Sequence, residues 1–379
     1  MNSIEKEIQD VKGYRFPFEG EKHLATLVEL PYRKDTWREN AKPALEEFKD
    51  VVKAISKFEL VCVIADPRIP YSVIREFEGE NVYFFRERYD DSWARDMTPI
   101  FLVDDESKKL CGVDFGFNAW GGKFDGLYPD WEDDNKLSRN ILLDLMIPRY
   151  SRKDFVLEGG SVHSDGEGTL LTSECCLLSK GRNPSLSKRQ IENVLKKTLN
   201  VQKILWVPNG IFNDETDGHI DNMACFYKPG SILLAYTNDE NDPQYALCKE
   251  NYEYLSKSKD AKGRKLEITK VMLPKPQFMK KEEADGLVME KGVVNRMEGR
   301  RLAASYINFY MGEKFIILPQ FHDPMDEVAL KQFIELFPDK EIIPVYSREI
   351  LLGGGNIHCI TKQIPFSENY YVIPKEGDK

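Results

Sequence analysis

The chain has 379 residues, a formal net charge of −10 and a pI of about 5.3. Hydrophobic residues make up 41% and charged residues 31%, which is typical of a folded globular protein and excludes a disordered or collagen-like chain. The acidic balance disfavours a nucleic-acid surface, which would need a basic stripe, and it is compatible with a cationic substrate. No run approaches the roughly 18 apolar residues of a membrane-spanning helix, so we expect no membrane association.

Five stretches predict helices of at least three turns, separated by short apolar strands rich in β-branched and aromatic residues. The predicted helices are Asn40–Phe58, Asp134–Met146, a segment with the stripe Ile191, Val194, Leu195 and Leu199, Pro243–Ser256 and Pro324–Phe337. The clearest strands are predicted at 59–64, 203–208, 231–236, 314–319 and 341–346. Strands and helices that alternate at this spacing indicate an α/β fold.

The length is compatible with two domains or with one large closed domain. No linker rich in Ser, Gly or Pro divides the chain, and we interpret the charged segment 274–301 as a long loop. The N-terminal sequence MNSIEKEIQDVKGYRF lacks the apolar core of a secretory signal, so we expect a cytoplasmic location. Seven cysteines at irregular spacing predict reduced thiols, and the absence of paired C-x-x-C spacings argues against a structural metal.

One short segment occurs twice in the sequence. LEGGSVHS (157–164) and LGGGNIHC (352–359) align without gaps, with two glycines and a histidine in common. The last aligned position is Ser164 in the first copy and Cys359 in the second. Two copies of one strand-turn unit suggest a closed ring of βα units, although glycine-rich turns also resemble each other by chance.

Cys359 follows three glycines, which place it at a turn rather than in ordinary core packing. A reactive thiolate needs a base or a positive charge nearby. The adjacent His358 is a poor candidate because neighbours in a strand point to opposite faces, and we expect it and His163 to be structural. His219 is the better candidate, since it lies among four carboxylates that favour the imidazolium.

Three acidic residues on separate turns complete a candidate site. Asp221 lies two residues beyond His219, on the same face of an extended segment. Glu158 interrupts an apolar strand before two glycines, and Asp96 follows Arg95, with which it could form a plain salt bridge. These residues and Cys359 predict a nucleophile, a proton shuttle and a clamp for a flat cation. A guanidinium fits this clamp, because carboxylates bind its planar N–H donors in pairs.

With its longer motifs the chain resembles the agmatine deiminases, of the peptidylarginine-deiminase-like family within the guanidino-group-modifying superfamily. The motifs are WARDMTPIF, FNAWGGKFDGLYPDWEDDN, LEGGSVHSDGEGTLLTSECCL, NDETDGHIDNMACF, GRRLAASYINFY, ILPQFHDPMDEVAL and GGGNIHCIT, in family order. The resemblance implies an α/β pentein fold, with five ββαβ units in a pseudo-fivefold propeller. It implies a single catalytic domain over residues 1–379.

Carried over by position, the resemblance implies that Cys359 is the nucleophile and His219 the general acid and base. It implies that Asp96 and Asp221 grip the guanidinium, and that Glu158 orients and charges His219. The implied reaction hydrolyses agmatine to N-carbamoylputrescine and ammonia through a covalent amidino-thioether, in putrescine and polyamine biosynthesis, without metal or organic cofactor. A homodimer or higher homo-oligomer is also implied.

Two further substrate contacts are carried over in the same way. The resemblance implies that Trp93 lines the substrate tunnel and that Glu215 contacts the substrate. The first motif departs from the family pattern, because Met97-Thr98 stands before Pro99 where the family usually has Thr-Gly. Asp96 is retained, so the clamp is still expected.

Three alternatives stay open from the sequence. A deiminase of free arginine or peptidyl-arginine would need a basic group facing the substrate carboxylate when that carboxylate is free. A non-catalytic guanidine-binding or polyamine-binding protein would not need the thiol of Cys359. A metal-dependent hydrolase would use His219 and Asp221 as ligands and would be inhibited by chelators.

Overall fold

The computed structural model describes residues 6–370 and 372, and its main sheets repeat one pattern five times. In each sheet two antiparallel strands are followed by a helix and by a third strand parallel to the second. This is a ββαβ unit, so the predicted α/β fold with five such units is confirmed. The pseudo-fivefold axis stays a prediction.

The bounds of each unit are given as strand, strand, helix, strand. The first unit comprises Ile100–Asp104, Lys109–Gly116, Glu132–Asp144 and Arg149–Val156. The second comprises Val162–Ser164, Thr169–Ser173, Lys188–Leu199 and Lys203–Val207. The third comprises Ala224–Lys228, Ser231–Tyr236, Pro243–Lys257 and Glu267–Met272. The fourth comprises Tyr310–Met311, Phe315–Gln320, Met325–Leu336 and Glu341–Tyr346. The fifth comprises Thr361–Pro365, His23–Glu29, Lys42–Ser56 and Val61–Ile64, with Val82–Phe85 as an extra parallel strand.

Short elements connect the units. Single helical turns lie at Arg38–Ala41, Tyr71–Ile74, Arg75–Phe77, Ala94–Met97, Gly122–Asp125, Gly159–Ser161, Glu174–Leu177, Ile220–Asn222, Lys281–Ala284 and Arg348–Leu352. Two short strands, Gln277–Phe278 and Arg301–Leu302, pair with each other around the segment predicted as a long loop. Apart from these strands and the turn at Lys281–Ala284 the segment is irregular, so that prediction is largely confirmed.

All five predicted helices are present, with small shifts at their ends. The first begins at Lys42 instead of Asn40, because Glu39, Asn40 and Ala41 have φ values of 54°, 56° and 64°. Non-glycine residues in this left-handed region cannot continue a right-handed helix. The strand predicted at 231–236 has those bounds in the structure.

The fifth unit is built from both ends of the chain. Its first strand, Thr361–Pro365, pairs antiparallel with His23–Glu29, with Ile364 opposite Ala25. Both strands are largely buried, as expected for a sheet that is covered on its two faces. This pairing brings the segment before Thr361 back to the start of the fold. Among the helices of residues 6–370, none is both long and apolar enough to cross a bilayer.

Ile364→Ala tests how much this closure contributes to stability. Ile364 is fully buried, so we expect the free energy of unfolding to fall by about 2–5 kcal/mol, through lost burial and a residual cavity. Urea denaturation measures the change. Ile334→Ala, at a position 53% exposed, is the matched control and should stay within about 0.5 kcal/mol of the wild type. Equal effects of the two variants would contradict a closing role.

Candidate active site

Each candidate catalytic residue lies just before the first strand of a unit. Asp96 precedes Ile100 and Glu158 precedes Val162. His219 and Asp221 precede Ala224, and Cys359 precedes Thr361. The fourth unit follows the same rule with Asn308, two residues before Tyr310. We call these five stretches the entry segments. The sequence analysis missed Asn308, although it lies within the quoted motif GRRLAASYINFY.

Hydrogen bonds join the entry segments in a cycle. Gly160 N donates to Asp96 Oδ1 at 2.8 Å, between the first and second segments. Phe226 N, in the strand that follows the third segment, donates to His163 Nδ1 of the second unit at 3.3 Å. The other three bonds are Ser305 Oγ to Asn222 O (2.7 Å), Asn308 Nδ2 to Cys359 Sγ (3.2 Å) and Arg95 N to Cys359 O (3.1 Å). Residues far apart in sequence are thereby fixed around one centre.

Gly160 lies at the point where three candidate side chains converge. A Cβ atom placed on it would lie 2.6 Å from His219 Nδ1, 2.8 Å from Asp221 Oδ2 and 2.9 Å from Asp96 Oδ1. These distances are shorter than van der Waals contact, so only a glycine leaves room for all three groups. The glycine of the first repeat copy therefore has a direct role in shaping the site.

Asp96 is held by two donors besides its contact with the histidine. Gly160 N binds Oδ1, and the indole Nε1 of Trp120 donates to Oδ2 at 2.8 Å. Burial raises the pKa of Asp96, and the nearby carboxylates of Asp221 and Glu158 add to the effect, which His219 opposes. With Met97-Thr98 in the first motif, Asp96 keeps both donors, and Thr98 Oγ1 donates to Ala94 O at the end of the short helix. The sequence analysis did not single out Trp120.

His219 lies between two carboxylates. Its Nδ1 is 3.8 Å from Asp96 Oδ2, and its Nε2 is 3.9 Å from Glu158 Oε2, so both are longer than hydrogen bonds. Glu158 Oε1 is paired with Arg182 Nε at 2.7 Å, and both side chains are fully buried. Within the described residues, His219 Nε2 has no hydrogen-bond partner. The ring is thus positioned by packing and by charge, with one nitrogen available.

The thiol of Cys359 lies next to an amide and a carboxylate. Its Sγ atom is 3.2 Å from Asn308 Nδ2 and 3.6 Å from Asp221 Oδ2. Burial raises the pKa of Cys359 well above its ordinary value, and the negative charges of Asp221 and Asp96 raise it further. The free enzyme therefore favours the neutral thiol, and a cation bound between these carboxylates would favour the thiolate.

The glycine run before Cys359 brings aromatic and acidic side chains close. A Cβ on Gly355 would lie 2.5 Å from the Trp93 ring and 2.9 Å from Cys359 Cβ, so Trp93 packs directly beside the cysteine. Gly354 has φ +113° and lies against Glu215, whose Oε2 would be 2.8 Å from its Cβ. Trp93 is therefore placed beside the thiol, and its role as a wall of the substrate tunnel stays a prediction.

The carboxylate of Glu215 is already engaged in ion pairs within the protein. Its carboxylate is bound by Arg296 through Nη2 at 2.6 Å and by Arg300 at 3.0 Å. Arg296 also donates to Gly353 O at 3.0 Å. Glu215, in the loop that leads to His219, is thus linked through Arg296 to the 274–301 segment and to the glycine run before Cys359. Its predicted contact with substrate stays a prediction.

The repeated histidines converge on a carboxylate that the sequence analysis did not identify. Glu19 Oε2 is 2.9 Å from His358 Nε2 and 3.4 Å from His163 Nε2, and all three residues are buried. His358 Nδ1 also binds Asp221 Oδ2 at 2.9 Å. Residues 357–360 form a turn, so the expectation that His358 and Cys359 point to opposite faces of a strand was wrong. The His358 ring nevertheless binds Glu19 and Asp221.

Two buried groups bring possible metal-binding atoms within 4.8 Å of one another. They are Glu19, His163 and His358, and Glu158, Cys176 and His219. In each group the carboxylate already contacts an arginine, at 2.8 Å for Arg95 and 2.7 Å for Arg182. Arginine stays protonated in proteins, so a divalent ion would lie beside a second cation. The charge distribution therefore fits hydrogen-bonded networks of charged side chains better than metal centres. All seven cysteines are free thiols, as predicted.

The five ββαβ units and the buried cysteine, histidine and carboxylates define the pentein class of guanidino-group-modifying enzymes. A family model described as Porphyromonas-type peptidyl-arginine deiminase matches residues 15–365, and the chain belongs to this family. The agmatine deiminase of Stutzerimonas stutzeri is 47% identical over 353 residues, 93% of this chain and 96% of that protein.

Solved structures give the same relationship. The agmatine deiminase of Enterococcus faecalis has a TM-score of 0.92 and 40% identity, covering 95% of this chain and 99% of that one. A substrate-bound Cys-to-Ser variant of the C. jejuni agmatine deiminase has a TM-score of 0.78 and 31% identity, covering 96% of each chain. The predicted family and pentein fold are confirmed.

Gly160→Ala tests the convergence of the three side chains. The added methyl group would press on His219, Asp221 and Asp96, and overpacking of this kind costs about 1–3 kcal/mol. We expect kcat/KM to fall about tenfold or more in a steady-state assay. The far-UV circular dichroism spectrum, which reports secondary structure, should stay unchanged. Gly79→Ala is the control, because its nearest atom would be 3.8 Å away. Wild-type activity in Gly160→Ala would refute the proposed geometry.

Proposed function

We propose that this protein hydrolyses agmatine to N-carbamoylputrescine and ammonia, using Cys359 as nucleophile and His219 as general acid and base. The observation that carries the proposal is the convergence of Asp96, Asp221 and His219 on Gly160, with the thiol 3.6 Å from Asp221. Relatives named agmatine deiminase that match almost the whole chain support the same substrate.

The substrate supplies the charge that the site lacks. Asp96 and Asp221 are both buried, and no arginine or lysine forms an ion pair with either among the described residues. A guanidinium between them would be desolvated and held flat, with its carbon presented to Cys359. Its positive charge would also offset the carboxylates that raise the pKa of the thiol.

The first half-reaction forms the covalent intermediate. Sulfur attacks the guanidinium carbon as His219 takes the thiol proton, giving a tetrahedral species beside an imidazolium. His219 returns this proton to a terminal nitrogen, the C–N bond breaks and ammonia leaves. A cationic amidino-thioether remains on Cys359, still held by Asp96 and Asp221.

The second half-reaction uses water. Neutral His219 takes a proton from water as its oxygen attacks the amidino carbon. Collapse breaks the C–S bond, the sulfur regains a proton and the ureido product leaves. The remaining proton is taken up by ammonia, so the single positive charge of the guanidinium ends on ammonium. Glu158 stabilises the imidazolium form of His219 in both halves.

Burial of the site favours a small free substrate over a peptidyl-arginine. Cys359 and Asp96 are each 7% exposed, and Glu158, His219 and Asp221 are at most 1% exposed. A peptide would need an open groove to bring its side chain to this depth. We further propose that residues 1–379 act as one domain, since Thr361–Pro365 and His23–Glu29 pair within the fifth unit, and that the protein is a homo-oligomer, as the family resemblance implies.

Turnover of agmatine tests the proposal directly. We expect wild-type protein to release ammonia and a ureido product from agmatine, and far less from arginine or from an arginine peptide. Cys359→Ala should abolish turnover without changing the melting temperature by more than a few degrees. Cys248→Ala is the matched control, because this thiol is also buried but lies outside the site. Full activity in Cys359→Ala would refute the mechanism.

Alkylation of the free enzyme tests the electrostatics of the thiol. Asp221 raises the pKa of Cys359, so Asp221→Asn should lower it and increase the thiolate fraction at pH 8. We expect faster labelling of Cys359 by iodoacetamide in this variant, although its turnover of agmatine should be lost. Both proteins carry Cys175→Ser, since Cys175 is the exposed thiol. Slower labelling would contradict the assigned sign.

A further inference from the structure

A buried row of alternating charges extends from Asp221 away from the reacting atoms. Arg95 Nη1 contacts Glu19 Oε1 at 2.8 Å, and Glu19 Oε2 contacts His358 Nε2 at 2.9 Å. His358 Nδ1 in turn contacts Asp221 Oδ2 at 2.9 Å. We call Arg95, Glu19, His358 and Asp221 the charge row. Glu19 and His358 are 339 positions apart, so the pairing exists only in the folded chain.

The hydrogen bonds define where the protons lie. Both nitrogens of His358 face carboxylate oxygens, which can only accept when ionised, so this ring must donate from both and is an imidazolium. His163 differs, because Phe226 N donates to its Nδ1 and its Nε2 is therefore the donor toward Glu19. The two histidines of the sequence repeat thus both contact Glu19, but only His358 also binds a second carboxylate.

Asp221 is the member of the charge row that faces the proposed substrate. Its Oδ2 binds His358 and is also the oxygen that lies 3.6 Å from Cys359 Sγ, while its Oδ1 is buried with no hydrogen-bond partner among the described residues. An unpaired buried carboxylate would normally take up a proton and lose its attraction for a cation. The imidazolium of His358 removes this tendency.

From this arrangement we propose that Glu19 and His358 are positioning residues, which keep Asp221 ionised and thereby able to hold the guanidinium. The inference rests on the proposed function, since it assigns the guanidinium as the group that Asp221 binds. Neither residue touches the reacting atoms, and their effect is transmitted through Asp221.

On balance, the charges around the charge row favour an ionised Asp221 and a protonated His358. Burial raises the pKa of Asp221, but His358, His219 and Arg95 lower it by more, so it lies below its ordinary value. Burial and Arg95 lower the pKa of His358, while Glu19 and Asp221 raise it above its ordinary value. The charged and titratable groups that face these two residues are Glu19, Arg95, Asp96, His163, Asp214, His219, Cys225 and Cys359.

The pH dependence of kcat/KM separates positioning from simple packing. In His358→Gln, Asp221 loses its cationic partner and should become protonated at higher pH. We expect the acidic limb of the profile to move upward by about 1–3 pH units, with the loss at low pH appearing mainly in KM. Glu19→Gln should shift the limb in the same direction by less, because it destabilises the imidazolium without removing it.

His163→Gln is the matched control, since His163 contacts Glu19 but not Asp221. The acidic limb of the kcat/KM profile of this variant should stay at the wild-type pH. An unmoved limb in both His358→Gln and Glu19→Gln, or an equal shift in His163→Gln, would overturn the inference. If His358→Gln fails to fold, as judged by its melting curve, Glu19→Gln decides.

A second measurement does not depend on agmatine. In wild-type protein with 15N-labelled histidine, the His358 signals should show both ring nitrogens protonated at pH 7.5. A neutral ring at that pH overturns the inference even if agmatine is hydrolysed. Conversely, a protonated ring in a protein that does not hydrolyse agmatine supports the charge row and refutes the proposed function alone.

Discussion

The site depends on the pairing of the last described strand, Thr361–Pro365, with the first, His23–Glu29. This antiparallel contact completes the fifth unit from both ends of the chain and places Cys359 beside Arg95, which contacts its carbonyl oxygen. Without it the cysteine would lie at the end of an unpaired segment. Because the same pairing positions the N-terminal stretch, Glu19 is brought within reach of His358.

A repeated unit explains how so many unrelated sequence positions meet. Each unit is entered by a short segment that runs toward the centre, and each segment carries one or two polar groups there. Asp96, Glu158, the His219–Asp221 pair, Asn308 and Cys359 occupy these entries in chain order. One backbone pattern therefore presents a different polar or reactive side chain at each of the five entries.

Electrostatics determine the protonation of the candidate nucleophile. Two carboxylates and a thiol share a buried volume, so the thiol is kept neutral and the site is short of positive charge. The nearby arginines pair with Glu19, Glu158 and Glu215, and none of them pairs with Asp96 or Asp221 among the described residues. In the proposed reaction, a guanidinium bound between Asp96 and Asp221 would offset their charge and favour the thiolate of Cys359.

The α/β class, the five long helices and the glycine turns could be predicted from the sequence, which also singled out Cys359, His219, Asp96, Glu158 and Asp221 as candidate reactive groups. Those features follow from local periodicity and from motifs that are continuous in the chain. The tertiary structure decided the roles of Glu19, Asn308, Trp120 and Arg182, the arginine partners of Glu215, and the contacts of His358. These depend on contacts between residues tens to hundreds of positions apart, and a buried charge reveals its partner only when the chain has closed around both.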